Sequence, residues 1–167
     1  MQGQNAEKAE LSHKDKMTLA LLKHVQPTHF ITLSLCQARK VSAQGGVTAW
    51  IRGDDTIYQN AHASFIKSLS KRLVSRSVWV RHKPIIASAG AIEGGIAGQR
   101  YHLHLLVAKP EHVTEERFRM AVCDAAAGHP WIMSGNYAVD IQSLANDRDA
   151  LNAAYYSVKR GVDRICL

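Results

Sequence analysis

The stretch Tyr101-His102-Leu103-His104-Leu105-Leu106-Val107 sets two histidines into an apolar run with the length of a β-strand. Side chains alternate between the two faces of a strand, so His102 and His104 share one face and Leu103 and Leu105 share the other. The two imidazoles are then about 6.5–7 Å apart along the strand. The pattern predicts a strand that is anchored in a core by one face and presents two metal-binding groups on the other.

A glycine-rich turn links this strand to the one before it. Residues 84–93 and 100–108 flank Gly94-Gly95-Ile96-Ala97-Gly98, a typical hairpin pattern. If residue 93 pairs with residue 102, Glu93 lies directly opposite His102, on the same face and about 5 Å away. Two imidazoles and a carboxylate suit Mg²⁺ or Mn²⁺, and zinc also accepts such a set. A register slip of one residue would remove Glu93 from this face.

Hydrophobic periodicity and cap signals predict the remaining elements. We expect an α+β fold in which a central antiparallel β-sheet is flanked by helices, as in RRM-like or ferredoxin-like sandwiches. Residues 1–26 are predicted to form an N-terminal arm or helix, and residues 27–167 the functional domain. The expected strands cover 28–35, 136–142 and a short segment around 47–51, and the expected helices cover 58–76, 115–127 and 147–160, the last ending at Gly161.

Composition and charge narrow the function classes. The chain has 167 residues, of which 46% are hydrophobic, and a formal net charge of +7. A basic domain attracts polyanions, most commonly nucleic acid. Three cysteines without a CxxC pair argue against a disulfide framework or zinc knuckle. Because no apolar run approaches the ~20 residues of a membrane span, we expect a soluble, cytoplasmic protein without a membrane partner.

The last predicted helix carries two adjacent tyrosines. Helical spacing places Leu151, Tyr155 and Val158 on one apolar stripe. Tyr156 and Lys159 share the neighbouring polar stripe. We therefore expect Tyr155 to pack inward and Tyr156 to face the histidines, with Lys159 beside it. A nearby ammonium favours the phenolate and stabilises charge that builds up on a phosphoryl group.

Basic and aromatic residues elsewhere are candidates for DNA contact. A basic flank follows the helix over 58–76, although a solvated helix face is the competing interpretation. Trp50, Trp79 and Trp131 are candidates for stacking unpaired bases, but we expect at least two of them in the core. The basic residues of this flank are Lys67, Lys71, Arg72, Arg76, Arg81 and Lys83.

In this order, the motifs resemble those of the HUH endonuclease superfamily, which contains rolling-circle replication initiators, relaxases and single-strand transposases. The first motif of that superfamily is similar to Phe30–Leu35, and the second to His102-Leu103-His104. The third, the Tyr-x-x-Lys of the replication-initiator branch, is similar to Tyr156-Ser-Val-Lys159. The resemblance covers residues 28–161. It implies a central antiparallel sheet with the histidines on a middle strand and the nucleophile on a late helix.

The resemblance also implies a mechanism and partners. Tyr156 would attack a phosphodiester of single-stranded DNA or an origin hairpin, become joined to the 5′ phosphate and free a 3′ hydroxyl. His102, His104 and Glu93 would hold Mg²⁺ or Mn²⁺, and Lys159 would position or activate the assembly. This chemistry would initiate rolling-circle replication of a plasmid, phage or mobile element, with a host helicase and polymerase as partners.

Several features separate this chain from other members and other functions. The third histidine and early nucleophile of relaxases are not seen, and Lys159 stands where small transposases usually have glutamine. One alternative is a non-catalytic, RRM-like nucleic-acid-binding module, which would not require Tyr156 to face the histidines and usually has an aromatic strand motif. Another is a two-histidine phosphoesterase, which would need a second histidine-bearing strand. The last is an inactive structural descendant of the endonuclease fold.

Overall fold

The computed structural model describes residues 11–42, 48–95, 99–159 and 164–167. Most of the predicted elements are present, whereas the predicted turn residues 96–98 and the predicted cap Gly161 lie outside the described ranges. None of the described helices has the length and apolar character that a bilayer span requires. The elements are α1 (His13–Val25), β1 (His29–Ser34), β2 (Ala38–Ser42), β3 (Thr48–Arg52), α2 (Asp55–Leu73), α3 (Arg76–His82), β4 (Ser88–Glu93), β5 (His102–Val107), α4 (Glu115–Ala127), β6 (Val139–Ser143), α5 (Asp147–Ser157) and β7 (Ile165–Cys166).

Five strands form one antiparallel sheet in the order β6-β1-β5-β4-β7. The α+β prediction is therefore confirmed, and the histidine-bearing strand β5 is the central one. Glu93 on β4 pairs with His102 on β5, which is the predicted hairpin register. On the other side of β5, Ser34 pairs with His102 and Thr32 with His104.

Helices cover the two faces of this sheet unequally. The face that carries Leu103 and Leu105 packs against α2 and α4 and forms the larger core. The opposite face packs against α1 and α5 through a smaller cluster that includes Phe30 and Leu106. This second cover stops short of the sheet end at which Ser34 and His102 lie, and both residues are partly exposed there. The histidine face is thus open at one end.

Two segments differ from the sequence-based expectation. Residues 36–56 were expected to form an extended excursion with one short strand, but β2 and β3 pair as a separate two-stranded ribbon. The helix expected over 58–76 begins earlier, at Asp55, because the Asp54 side chain accepts a hydrogen bond from the Ile57 amide. It ends at Leu73, where the backbone becomes extended, and Ser75 caps the separate helix α3.

One buried histidine lies in the larger core. His62 on α2 is 3% exposed, lies against Gly90 of β4 and has its Nε2 atom 3.5 Å from the Ser88 hydroxyl. Burial lowers the pKa of His62 to about 4. The folded protein therefore resists protonation of this ring, whereas the unfolded chain takes up the proton near pH 6.5.

We predict that the protein loses stability as the pH falls from about 6.5 to about 4. Over this window the unfolded chain binds a proton that the folded protein excludes, so the free energy of unfolding falls by about 3 kcal/mol. Urea unfolding of the wild type and of His62→Leu, measured at several pH values, tests this. The variant lacks the titrating ring and should show a flatter profile; identical profiles would contradict the assignment.

Candidate functional site

The carboxylate of Glu93, at the end of β4, joins three elements of the site. Its Oε2 atom accepts a hydrogen bond from the Tyr156 hydroxyl at 3.1 Å and lies 2.8 Å from Nε2 of His104. Its Oε1 atom forms an ion pair with Nζ of Lys159 at 2.9 Å. The Glu93 side chain is only 15% exposed. One carboxylate thus connects the end of β4, the centre of β5 and the last turn of α5.

These contacts fix the charges of the site at neutral pH. Burial raises the pKa of Glu93, but the hydrogen bonds from Lys159, His104 and Tyr156 outweigh it and lower the pKa to about 2. Burial lowers the pKa of His104 more than Glu93 raises it. Burial also lowers the pKa of Lys159, but its bonds to Tyr156 and Glu93 raise it overall. The site therefore combines a carboxylate, a neutral imidazole and an ammonium.

Two side chains of strand β1 orient the His104 ring. Because an ionised carboxylate only accepts hydrogen bonds, Nε2 of the neutral ring donates to Glu93. The Nδ1 atom, 3.1 Å from Thr32 Oγ1, then accepts from the Thr32 hydroxyl. The Phe30 ring stacks on His104 with centroids 5.6 Å apart and planes 8° from parallel. Both residues belong to the segment that resembles the first HUH motif, and both act on the orientation of His104.

Tyr156 faces the histidines, as its helical position predicts. Its ring meets His104 edge to face at 5.0 Å and Phe30 at 6.0 Å. The Lys159 ammonium lies 3.3 Å from the centroid of the Tyr156 ring. A cation at this distance stabilises a phenolate both through the ring face and through space. The Tyr156 oxygen is therefore held next to a hydrogen-bond acceptor and a positive charge.

The prediction that Tyr155 packs inward is wrong. Tyr155 is 43% exposed, and its ring lies 4.1 Å from Nζ of Lys14 on α1. The sheet-facing side of α5 carries the small residues Ala153, Ala154 and Ser157 instead. Small side chains let α5 approach the sheet closely, so the large apolar side chain of Leu151 also stays outside.

His102 and His104 lie on the same face with ring centroids 6.2 Å apart. Among the described residues, no group of three or more His, Cys, Asp or Glu side chains is arranged to hold a metal ion. In this arrangement Glu93 and Nε2 of His104 bind each other directly, 2.8 Å apart. The donor types nevertheless fit a divalent cation: two imidazole nitrogens and a carboxylate lie on one sheet face.

The site opens into a groove that crosses the uncovered end of the sheet. A central cavity of about 460 Å³ lies over Glu93, His102, His104 and Tyr156, and Arg100 forms part of its wall. It shares lining residues with one cavity of about 590 Å³ beside α5 and with another of about 410 Å³ beside the loop before β6. The first neighbour shares His104 and Tyr156 with the central cavity and the second shares Arg100 and His102, so the three cavities lie next to one another.

The predicted DNA-binding flank lies elsewhere. All six basic residues are exposed, but Lys67, Lys71 and Arg72 lie on α2, the helix that covers the opposite face of the sheet. Arg76, Arg81 and Lys83 lie on or directly after α3. The structure thus brings together the predicted site residues Glu93, His102, His104, Tyr156 and Lys159, and it places the α2 part of the predicted DNA-binding flank on the other side of the sheet.

Sequence reasoning missed three residues of the site: Phe30, Thr32 and Arg100. The alternation in β1 places Phe30 and Thr32 on one face, but which strand pairs with β1 is not visible in local sequence. Arg100 directly precedes the strand-like run and was available as a signal, since a cation beside two histidines suits a phosphate ligand.

Comparisons of the chain with protein-family models, with curated proteins and with solved structures gave no match. The resemblance to the HUH superfamily accordingly rests on short motifs in this sequence. The geometry around Glu93 is therefore the starting point for a functional proposal.

We predict that Glu93 stabilises the fold only while it is ionised. The folded pKa is about 2 and the ordinary value 4.5, so this stabilisation is complete above about pH 4.5 and is lost as the pH falls toward 2. The difference in free energy of unfolding between wild type and Glu93→Gln should shrink by on the order of 3 kcal/mol across this window. Acid titrations in urea measure it, with Glu116→Gln, at an exposed position on α4, as the matched control. A difference that does not change with pH would refute the assignment.

Proposed function

We propose that this chain is an HUH-type endonuclease and strand transferase that nicks and rejoins single-stranded DNA through a covalent 5′-phosphotyrosine. The observation that supports this most is the position of the Tyr156 hydroxyl, 3.1 Å from Glu93 and beside His104 on the central strand. A phenol next to an ammonium and a set of nitrogen and oxygen donors suits nucleophilic attack on phosphorus. The groove on both sides of Tyr156 gives an extended strand a path across it.

The proposed step uses groups that already touch. The Tyr156 oxygen forms a bond to phosphorus, the bond from phosphorus to the 3′ oxygen breaks, and the phenol proton is released to water, while the Glu93 carboxylate that accepts the phenol hydrogen bond orients the nucleophile. The released 3′ oxygen takes a proton from water. The reverse attack by the 3′ hydroxyl restores the strand and the phenol. Because the phosphotyrosine keeps the energy of the phosphodiester bond, this chemistry suits replication or strand transfer.

In this proposal, the Lys159 ammonium stabilises the negative charge that develops during the reaction. Its raised pKa keeps it an ammonium at neutral pH, so it does not serve as the base. From 3.3 Å above the Tyr156 ring, it lowers the energy of the developing phenolate and of negative charge on the phosphoryl oxygens. The ion pair with Glu93 holds the ammonium in this position.

His102, His104 and Glu93 are the residues that would hold the divalent ion, Mg²⁺ or Mn²⁺. When bound, such an ion acts as a Lewis acid on the scissile phosphate. Thr32 positions His104 for this role. If Nε2 gives its lone pair to the ion, the ring proton moves to Nδ1 and donates to Thr32 Oγ1, the second hydrogen bond that metal-binding histidines usually make.

This activity would place the protein at the start of rolling-circle replication of a plasmid, phage or mobile element. The free 3′ hydroxyl would prime a host polymerase, and a host helicase would unwind the displaced strand. A non-catalytic nucleic-acid-binding module is the second candidate. The direct Glu93–His104 contact favours that candidate, because it satisfies both groups without a metal ion.

We predict that wild-type protein forms a covalent adduct with labelled single-stranded oligonucleotides in the presence of Mn²⁺. The adduct should disappear with chelator and in Tyr156→Phe, because only the phenol oxygen can form the bond. A denaturing gel with a pooled oligonucleotide library measures it. Tyr155→Phe is the matched control and should keep the adduct, since Tyr155 lies outside the site.

Two results would change this proposal. Loss of the adduct only in Tyr155→Phe would reassign the nucleophile. Absence of any adduct from a protein that binds the same oligonucleotides would favour the binding module.

We further predict that Thr32→Val weakens Mn²⁺ binding about 10- to 100-fold, because the valine keeps the shape of threonine but cannot accept the Nδ1 hydrogen. Calorimetric titration of Mn²⁺ into the protein measures this. Ser34→Ala, on the same strand and face, should bind as wild type, since the Ser34 hydroxyl donates to the Tyr137 carbonyl rather than to a histidine. Unchanged Mn²⁺ affinity in His104→Ala would contradict the metal assignment.

A further inference from the structure

The ribbon formed by β2 and β3 is attached to the rest of the domain by hydrogen bonds at its base. The Gly53 amide donates to the Gln37 carbonyl, and the buried Tyr58 hydroxyl donates to the Cys36 carbonyl. A side chain at position 53 would collide with the Tyr58 ring, so the glycine lets the ribbon seat closely on it. The base of the ribbon is therefore fixed to α2, while among the described strands β2 and β3 pair only with each other.

The two faces of the ribbon differ in what they meet. Paired residues of antiparallel strands point to the same side. Arg39 pairs with Ile51, and the Arg39 guanidinium lies 5.8 Å from the ring centroid of Trp131, which packs on the main core. The Arg39 face is therefore turned toward the domain. Trp50 pairs with Lys40 on the other face, which is turned toward solvent.

The solvent face presents an indole between two cations. Trp50 is 72% exposed, and its neighbours on this face include Lys40 and Arg52, both exposed. The expectation that at least two tryptophans lie in the core is wrong, because Trp79 is only half-buried on α3. The exposed indole of Trp50 offers a flat aromatic surface on which a planar group can stack.

The charge of the segment indicates the kind of partner. Residues 36–53 contain Arg39, Lys40 and Arg52 and no aspartate or glutamate. Cations beside an open aromatic face are the combination that proteins use for single-stranded nucleic acid, because the phosphates meet the cations and an unpaired base stacks on the ring. A purely apolar protein partner would leave both flanking cations unpaired.

We propose that the face of Lys40, Trp50 and Arg52 is a second DNA-contact site, at which an unpaired base of the substrate strand stacks on the Trp50 indole. The inference rests on the proposed function for its ligand, single-stranded DNA, and does not depend on the nicking chemistry. The position of the ribbon supports it. Ser34 pairs with His102, and Ala38 follows four residues later, at most about 14 Å away. The first strand of the ribbon therefore begins within about 14 Å of the strand end at which His102 lies.

The test uses full-length protein that carries Tyr156→Phe, so that binding is measured without cleavage. Fluorescence anisotropy with a labelled oligothymidylate should show about 5- to 100-fold weaker binding on Trp50→Ala and nearly full binding on Trp50→Phe, since stacking supplies this contact. Lys40→Ala and Arg52→Ala should each reduce the slope of log affinity against log salt by about 0.7. Ile51→Ala, on the opposite face of the ribbon, is the matched control and should bind like the parent.

The outcomes separate this site from the proposed chemistry. Unchanged binding by Trp50→Ala overturns the site, even if the adduct assay with intact Tyr156 succeeds. Weaker binding by Trp50→Ala supports the site, even if no adduct forms. Equal loss in Trp50→Ala and Ile51→Ala would refute the assigned face, and equal loss for a blunt duplex and for the single strand would refute stacking of an unpaired base.

Discussion

The nearly buried carboxylate of Glu93 needs hydrogen-bond donors and a positive charge around it. Much of the arrangement on the histidine face of the sheet follows from this requirement. A charge in this position is tolerated only when hydrogen bonds and an opposite charge replace the lost water. His104 on the neighbouring strand supplies one donor, and Tyr156 and Lys159, at and just after the end of α5, supply the others. Glu93 thereby fixes where α5 ends against the sheet. The same contacts bring the phenol, the imidazole and the ammonium together around one carboxylate.

The site exists because the sheet is covered unevenly. Leucines on one face of β5 bury themselves under α2 and α4, which anchors the strand firmly enough for its other face to carry polar groups. On that other face, Ala153 and Ala154 let α5 lie close to the sheet, but α1 and α5 leave the end at His102 open. Rigidity from the buried face and access from the open end are the two properties that a site for an extended polyanion requires.

The features that depend on residues close together in the chain could be predicted from the sequence. The alternation of side chains predicted the two faces of β5, and the glycine-rich turn predicted that Glu93 pairs with His102. Helical spacing predicted that Tyr156 faces these residues. The pairing of Thr32 with His104 joins positions 72 residues apart, so no local pattern shows it. The prediction for Tyr155 failed for a related reason. Large apolar side chains usually favour burial, but α5 lies so close to the sheet that only small side chains fit between them. This close approach depends on the assembled sheet and is not visible in the sequence of α5.

Positive charges at different places on the protein would have different effects on a polyanion: distant cations would attract it, and cations near the groove would position it. The basic flank of α2 lies behind the sheet, so its cations cannot touch phosphates in the groove over Tyr156. At physiological salt their field decays over about 8 Å, which limits them to drawing a polyanion toward the surface. In the proposed function, placement of a strand would come from Arg100, which lines the groove, and from Lys40 and Arg52 of the proposed second contact site on the ribbon. If the proposed function holds, the net charge accounts only for attraction of nucleic acid, while the position of a few cations would decide which phosphate meets Tyr156.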